Sequence, residues 1–154
     1  MANTHNQVKI GDAAPAFTLR DQSDCEVSLS DFRGKPVVLF FYPKDETPGC
    51  TVESCTFRDH HAEFQALGAE LMGISSDDEA SHRHFAERHG LTYKLLADHK
   101  GKVRKLYGVP KTLGMLDGRV TYIIDSEGRV RDIFRSQLSV RKHVTRALSA
   151  LRSL

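Results

Sequence analysis

The sequence predicts an α/β fold: a central mixed β-sheet flanked by helices, with a β-hairpin at its amino-terminal end. Three observations predict it. The run Val37–Tyr42 in "KPVVLFFYP" is six consecutive apolar or aromatic residues, the signature of a strand buried on both faces of a sheet. Strand-like and helix-like stretches then alternate along the chain, as they do where neighbouring strands are joined through helices. The chain closes on a hairpin and one more helix, which makes the sheet mixed rather than purely parallel.

Each element has its own warrant. "AFTLR" and "EVSLS" flank the polar turn "DQSDC" and read as the early hairpin. Pro43 ends the buried strand. From Cys50 to about Leu67 the pattern is helical, with Phe57, Phe64 and Leu67 at spacings of seven and three. "AELMGISS" is the next strand. Ser76 caps a helix, since "SDDE" fits the S-x-x-E box with Glu79 reaching back, and Gly90 ends it. "YKLLAD" is a short strand and "GKVRKLYGV" a short helix. "RVTYIID", "SEG" and "RVRDIF" make a hairpin with Gly128 at a left-handed position. "SVRKHVTRALSALRSL" is an amphipathic helix with Val140, Val144, Ala147, Leu148 and Leu151 inward. This order is that of a thioredoxin-like α/β fold. No repeat, low-complexity tract or linker interrupts it, so residues 1–154 read as a single domain.

Composition narrows the function. Apolar residues at 40% and charged residues at 27% suit a soluble globular protein. A formal charge of +2, with acids and bases interspersed and no polybasic block, argues against nucleic acid or an anionic membrane as partner. No apolar run approaches a membrane span. "MANTHNQVKIGD" has neither an apolar h-region nor a cleavage site, and the expectation is a cytoplasmic protein. Three cysteines are too few for a disulfide framework; in a reducing compartment such thiols are catalytic or inert.

Two of the three stand close together in "ETPGCTVESC". Cys50 opens a helix behind a Thr-Pro-Gly turn, where free N–H groups and the positive end of the macrodipole favour a thiolate. A free cysteine with a pKa near 8.5 is only about 3% ionised at pH 7, and bringing it to about 6 takes roughly 3.4 kcal/mol. A helix end supplies about 0.3 to 2 kcal/mol, so a nearby cation is required. Cys55, five residues on, lies roughly 140° around a regular helix at a Cα separation of about 8.6 Å. That exceeds the roughly 7 Å limit for bridging, so the pair cannot bond in the wound helix. The segment "CTVESCT" is made of mediocre helix formers apart from Glu53, so unwinding about a turn and a half costs only a few kcal/mol. Two inert thiols on one buried stripe would not stand 140° apart, by the same roughly 100° per residue. Cys25, in the polar turn "DQSDCEVS", has nothing near it to stabilise a thiolate and is read as having no catalytic role.

"PKDETPGC" matches P-x-x-x-T-x-x-C, the active-site signature of peroxiredoxins, and with "TPGCTVESC" attached it resembles the bacterioferritin comigratory protein, or Q-type, branch. The likeness runs from "GDAAPAFTLRDQ" through "DFRGKPVVLFFYPK" to "RVTYIID". The resemblance implies Cys50 as the peroxidatic cysteine, with Thr47 and Pro43 as the signature threonine and proline. It implies Arg119, at the head of "RVTYIID", as the required cation, and Cys55 as the resolving cysteine.

The implied activity is thiol-dependent reduction of hydrogen peroxide and organic hydroperoxides, with no metal or organic cofactor. A Cys50 sulfenic acid is resolved by Cys55 as an intramolecular disulfide, which thioredoxin or glutaredoxin reduces. With no carboxyl-terminal resolving cysteine, the chain is expected to be a monomer. Three rivals stand beside this. A metal module on Cys50, Cys55, His60 and His61 lacks a common zinc spacing, and the four side chains point apart on one helix. The pair His82 and His89 in "SHRHFAERHG" reads as part of a solvated helix surface. A disulfide oxidoreductase would want C-x-x-C rather than C-x4-C. A non-catalytic, redox-responsive interaction protein would use the same thiols, and only turnover separates it from an enzyme.

Overall fold

The structure, a computed structural model, describes residues 7–112 and 116–154; the first six residues of the amino-terminal stretch read above lie outside them. The elements run β1 (Thr18–Asp21), β2 (Glu26–Ser28), β3 (Val37–Phe41), α1 (Pro48–Asp59), α2 (His61–Ala66), β4 (Glu70–Ser75) and α3 (Glu79–His89). They continue with β5 (Lys94–Ala97), α4 (Lys102–Tyr107), β6 (Lys111–Thr112), β7 (Leu116–Asp117), β8 (Val120–Ile124), β9 (Val130–Arg135) and α5 (Val140–Arg152). Seven strands form one sheet in the order β2-β1-β5-β4-β3-β8-β9, and β6 pairs with β7 separately. β3 and β5 run parallel to β4, while β1, β8 and β9 join antiparallel. The sheet is mixed, as the element order predicts.

All five residues of β3 are buried, because apolar cores lie on both of its faces. Val38 and Phe40 face Phe57 of α1, Phe64 of α2, Phe85 of α3 and Val144 of α5. Val37, Leu39 and Phe41 face the opposite way, toward Val103 and Tyr107 of α4. Phe40 stacks on Phe57 with ring centroids 4.2 Å apart, which fixes the middle of α1 over the sheet. Its cross-strand partner is Gly73, where a Cβ would sit 2.8 Å from the Phe40 ring; the glycine makes room for the stack.

Four details depart from the sequence expectation. The helix expected over residues 50–67 starts at Pro48 and breaks at His60 into α1 and α2. The cap of α3 is Asp78, whose carboxylate accepts the Ser81 N–H at 2.8 Å; Ser76 lies outside the helix, and Glu79 pairs with His99 instead of closing a capping box. On α5, Val140 is half-buried and His143 fully buried. The β6–β7 pairing was not anticipated, since two-residue strands carry no periodicity.

Candidate active site

β3 delivers the chain into the segment 43–49, and α1 takes it away from the sheet. Thr47 occupies the N-cap position, Pro48 the first helical position, and Cys50 the first turn. Proline suits that place because the first N–H groups of a helix have no carbonyl within the helix to bond. Gly49 and Cys50 present such N–H groups. Thr47 does not cap them with its side chain: its hydroxyl donates to the Lys44 carbonyl at 2.8 Å, which leaves the oxygen lone pairs as acceptors. Glu46, just before it, has a φ of 65°, a left-handed conformation costing about 1–2 kcal/mol for a residue with a Cβ.

A buried polar cluster holds this segment in place. The Asp45 carboxylate accepts from Tyr42 Oη at 2.6 Å and Ser81 Oγ at 2.8 Å, and it lies 2.7 Å from His82 Nδ1. The other ring nitrogen of His82 is 2.9 Å from the Leu96 carbonyl, and the Asp45 N–H donates to Asp77 at 2.8 Å. His82 is therefore not on a solvated surface: it is fully buried and ties α3 to the segment carrying Thr47. The spacing of His82, Phe85, Ala86 and His89 on one helical face was the available signal. Asp45, Asp77 and His82 cluster closely enough to hold a cation, but their hydrogen bonds are made within the protein.

Cys50 is fully buried, Cys55 half-buried, and both are free thiols in one continuous helix. The helix is wound, so the two sulfurs are held apart. Cys25 is free and exposed in the β1–β2 turn. His60, at the break between α1 and α2, pairs with Glu63, and His61 at the start of α2 pairs with Thr92, away from the thiols.

Arg119, immediately before β8, comes to the start of α1. Its Nη1 donates to Glu53 Oε1 at 2.6 Å and its Nε to the Gln137 carbonyl at 3.2 Å. Burial works against the guanidinium charge, but the Glu53 carboxylate and then the Cys50 sulfur outweigh it and hold Arg119 more firmly cationic than usual. Of the five residues predicted for the site, Cys50 and Arg119 are brought together. Thr47 stands in the turn preceding Cys50, Pro43 is half-buried at the end of β3, and Cys55 lies on the far side of the helix.

The sequence reading missed Glu53 and His143. Glu53 lies three residues after Cys50, hence on the same helical face, and that spacing was a usable signal. Burial pushes its carboxyl up to about 7 even though Arg119 pulls the other way. His143 Nδ1 lies 3.6 Å from Glu53 Oε2. Burial pulls its ring down to about 4, with Arg119 adding to the effect against a backbone hydrogen bond to Ser136. A buried thiol beside a guanidinium at a helix start can react as a thiolate and transfer two electrons to a bound oxidant.

Residues 10–133 match the model of the AhpC/TSA family. The chain is 51% identical over 149 residues to the chloroplastic peroxiredoxin Q of Oryza sativa subsp. japonica, covering 96% of this chain and 69% of that protein. It is 51% identical over 148 residues to the chloroplastic peroxiredoxin Q of Arabidopsis thaliana, covering 96% and 68%. Among solved structures, the peroxidoxin BcpB of Mycobacterium tuberculosis superposes with a TM-score of 0.89 at 40% identity, covering 96% of this chain and 99% of that one. The peroxiredoxin Q of Xanthomonas campestris gives a TM-score of 0.85 at 30% identity, covering 95% and 96%. The backbone likeness makes the fold thioredoxin-like.

These names correct the expectation of a cytoplasmic protein, because the curated relatives are chloroplastic. That expectation rested on the first twelve residues, and such a stretch says nothing of compartment where the relatives are longer than the chain. With a family match over most of its length, a Q-type sequence likeness and a shared backbone, the chain belongs to the AhpC/TSA family as a peroxiredoxin, a thiol peroxidase.

Proposed function

We propose that Cys50 is the peroxidatic thiol and Cys55 the thiol that resolves it, in a cycle completed by thioredoxin or a similar dithiol protein. The observation that supports this most directly is the Arg119 guanidinium shared between Glu53 and Cys50 at the first turn of α1. The Cys50 thiolate attacks the terminal oxygen of the peroxide, the S–O bond forms as the O–O bond breaks, and the leaving oxygen takes a proton to become water or an alcohol. Arg119 stabilises charge on the sulfur and then on the leaving oxygen. The Cys50 N–H donates to the peroxide, and Thr47, its own proton committed to Lys44, accepts the peroxide O–H. Pro43 screens the sulfur from bulk water.

The first turns of α1 then unwind, and the Cys55 thiolate displaces hydroxide from the sulfenic sulfur to give the Cys50–Cys55 disulfide. Thiol–disulfide exchange with the dithiol partner restores both thiols, and the chain works as a monomer. The test is intact-mass analysis after one equivalent of hydrogen peroxide. The expected product has lost two hydrogens, with the bridge mapped between residues 50 and 55. Cys50→Ser should abolish turnover. Cys55→Ser should consume one equivalent and stop; full thioredoxin-dependent cycling in that variant would reject Cys55 as the resolving residue. Oxidation once, without turnover under any dithiol reductant, would instead favour a redox switch.

A further inference from the structure

Glu53 is fully buried, and only one of its oxygens is accounted for. Oε1 receives Arg119 Nη1 at 2.6 Å, whereas Oε2 has no hydrogen-bond partner among the described residues. Oε2 faces His143 Nδ1 at 3.6 Å, a little beyond hydrogen-bond length. The state of that ring follows from its other contacts. Nε2 lies 2.8 Å from the Ser136 carbonyl, which can only accept, so Nε2 carries the hydrogen. Nδ1 of the neutral ring is then a lone pair, and it accepts from Thr121 Oγ1 at 2.7 Å. An ionised Oε2 would point its lone pairs at another lone pair with no donor beside it. A protonated Oε2 removes that anionic repulsion, and the single Nδ1 lone pair stays with Thr121 Oγ1.

The charges give the same answer. Among the described residues, four titratable groups face Glu53 or share its site: Arg119 ahead of β8, His143 on α5, Tyr93 ahead of β5, and Cys50 on α1 itself. Burial keeps His143 and Tyr93 neutral at pH 7, so one guanidinium must serve both a thiolate and a carboxylate. Two buried anions on one cation leave an uncompensated charge, which is strongly unfavourable away from water.

We propose that Glu53 is the charge-balancing group of the reaction: it holds a proton on Oε2 while Cys50 is a thiolate and releases it when Cys50 becomes a sulfenic acid. Arg119 then faces one anion at every stage. The step balances as Cys50–S⁻ + R–OOH + Glu53–COOH → Cys50–SOH + R–OH + Glu53–COO⁻. Sulfur is oxidised by two electrons, the peroxide is reduced by the same two, and the proton lost by Glu53 equals the one gained by the leaving oxygen, exchanged through water. Glu53 does not touch the peroxide, so it is a positioning residue that acts through Arg119. The inference rests on Cys50 reacting as a thiolate, as proposed above.

Infrared difference spectroscopy on the Cys55→Ser protein, before and after one equivalent of hydrogen peroxide, tests it. The expected result is loss of a protonated carboxyl band and gain of a carboxylate, both missing when Glu53→Gln is added. The rate of sulfenic acid formation should also decline above pH about 7, where Glu53 ionises, by roughly fivefold across the next pH unit. Glu53→Gln should remove that alkaline limb. Normal sulfenic acid formation with no carboxyl band change, or an unchanged alkaline limb in Glu53→Gln, overturns the role of Glu53 and leaves the peroxidatic role of Cys50 standing. A Cys50 that does not react with peroxide overturns both. Should Glu53→Gln fail to fold, the Cys55→Ser spectrum alone decides.

Discussion

Gly49 precedes Cys50, the sulfur proposed to react, and its lack of a side chain has a specific use. A Cβ there would lie 3.2 Å from Arg119 Nη2 and 3.9 Å from Val140 Cγ1. The guanidinium cannot easily retreat, because Glu53 and the Gln137 carbonyl hold it from two sides. Gly49→Ala should therefore leave the fold intact, since alanine favours the helix, while displacing Arg119 by a few tenths of an ångström. A fall in kcat/KM for hydrogen peroxide of roughly tenfold, with thermal stability kept, is the expected outcome. Unchanged kinetics would show that the guanidinium is not needed in that position. Cys50, Thr47, Pro43 and Arg119 could be picked out of the sequence as candidates because each sits in a short local pattern. Glu53, His143 and His82 were not read, because their meaning comes from partners 66, 22 and 37 residues away. No local pattern reports such partners, and only helical spacing hints at burial.

In the proposed cycle α1 must be stable enough to present Cys50 and weak enough to release it. The apolar run of β3 and the poor helix formers of "CTVESCT" were both readable, and they supply the platform and the weakness. The counterweights were not readable, because they come from other elements. Arg119 holds Glu53, and the Tyr93 hydroxyl donates to the Ser54 carbonyl at 2.7 Å, just before Cys55. Further along, Arg58 Nη1 donates to the His89 carbonyl at 2.6 Å and anchors the end of the helix that should stay wound. Tyr93→Phe removes one lock from the half that should move. Losing a hydrogen bond worth about 1 kcal/mol should raise the unwound population roughly fivefold. Disulfide formation after peroxide should quicken by a similar factor, and less Cys50 should reach the sulfinic acid at high peroxide. Mass spectrometry of the sulfinic fraction checks this; a fraction equal to or above that of the unsubstituted protein would refute the lock.

Across the whole molecule the buried pair behind Arg119 makes a statement about folding as well as chemistry. Glu53 and His143 come from α1 and α5, which pack together beside β8, so both groups are buried only when the sheet and these helices have assembled. Glu53 is pushed from 4.5 up to about 7 by burial, so it binds its proton more tightly in the folded chain. Its stabilisation is fully present below pH about 4.5 and is lost as pH rises to about 7. His143 is pulled by burial from 6.5 down to about 4, so the folded chain resists protonating it. Its stabilisation is present above pH about 6.5 and is lost as pH falls to about 4. The windows overlap and the signs oppose. Each swing is on the order of 3 kcal/mol, so together they nearly cancel and flatten stability through the weakly acidic range. Removing either group should uncover the other. Relative to the unsubstituted protein, Glu53→Gln should lose stability as pH falls from about 7 to about 4.5, and His143→Gln should lose it as pH rises from about 4 to about 6.5. Urea unfolding midpoints across that range, at constant m-value, measure both slopes. Two difference curves that are flat, or that slope the same way, would mean that the two groups do not titrate as an opposed pair.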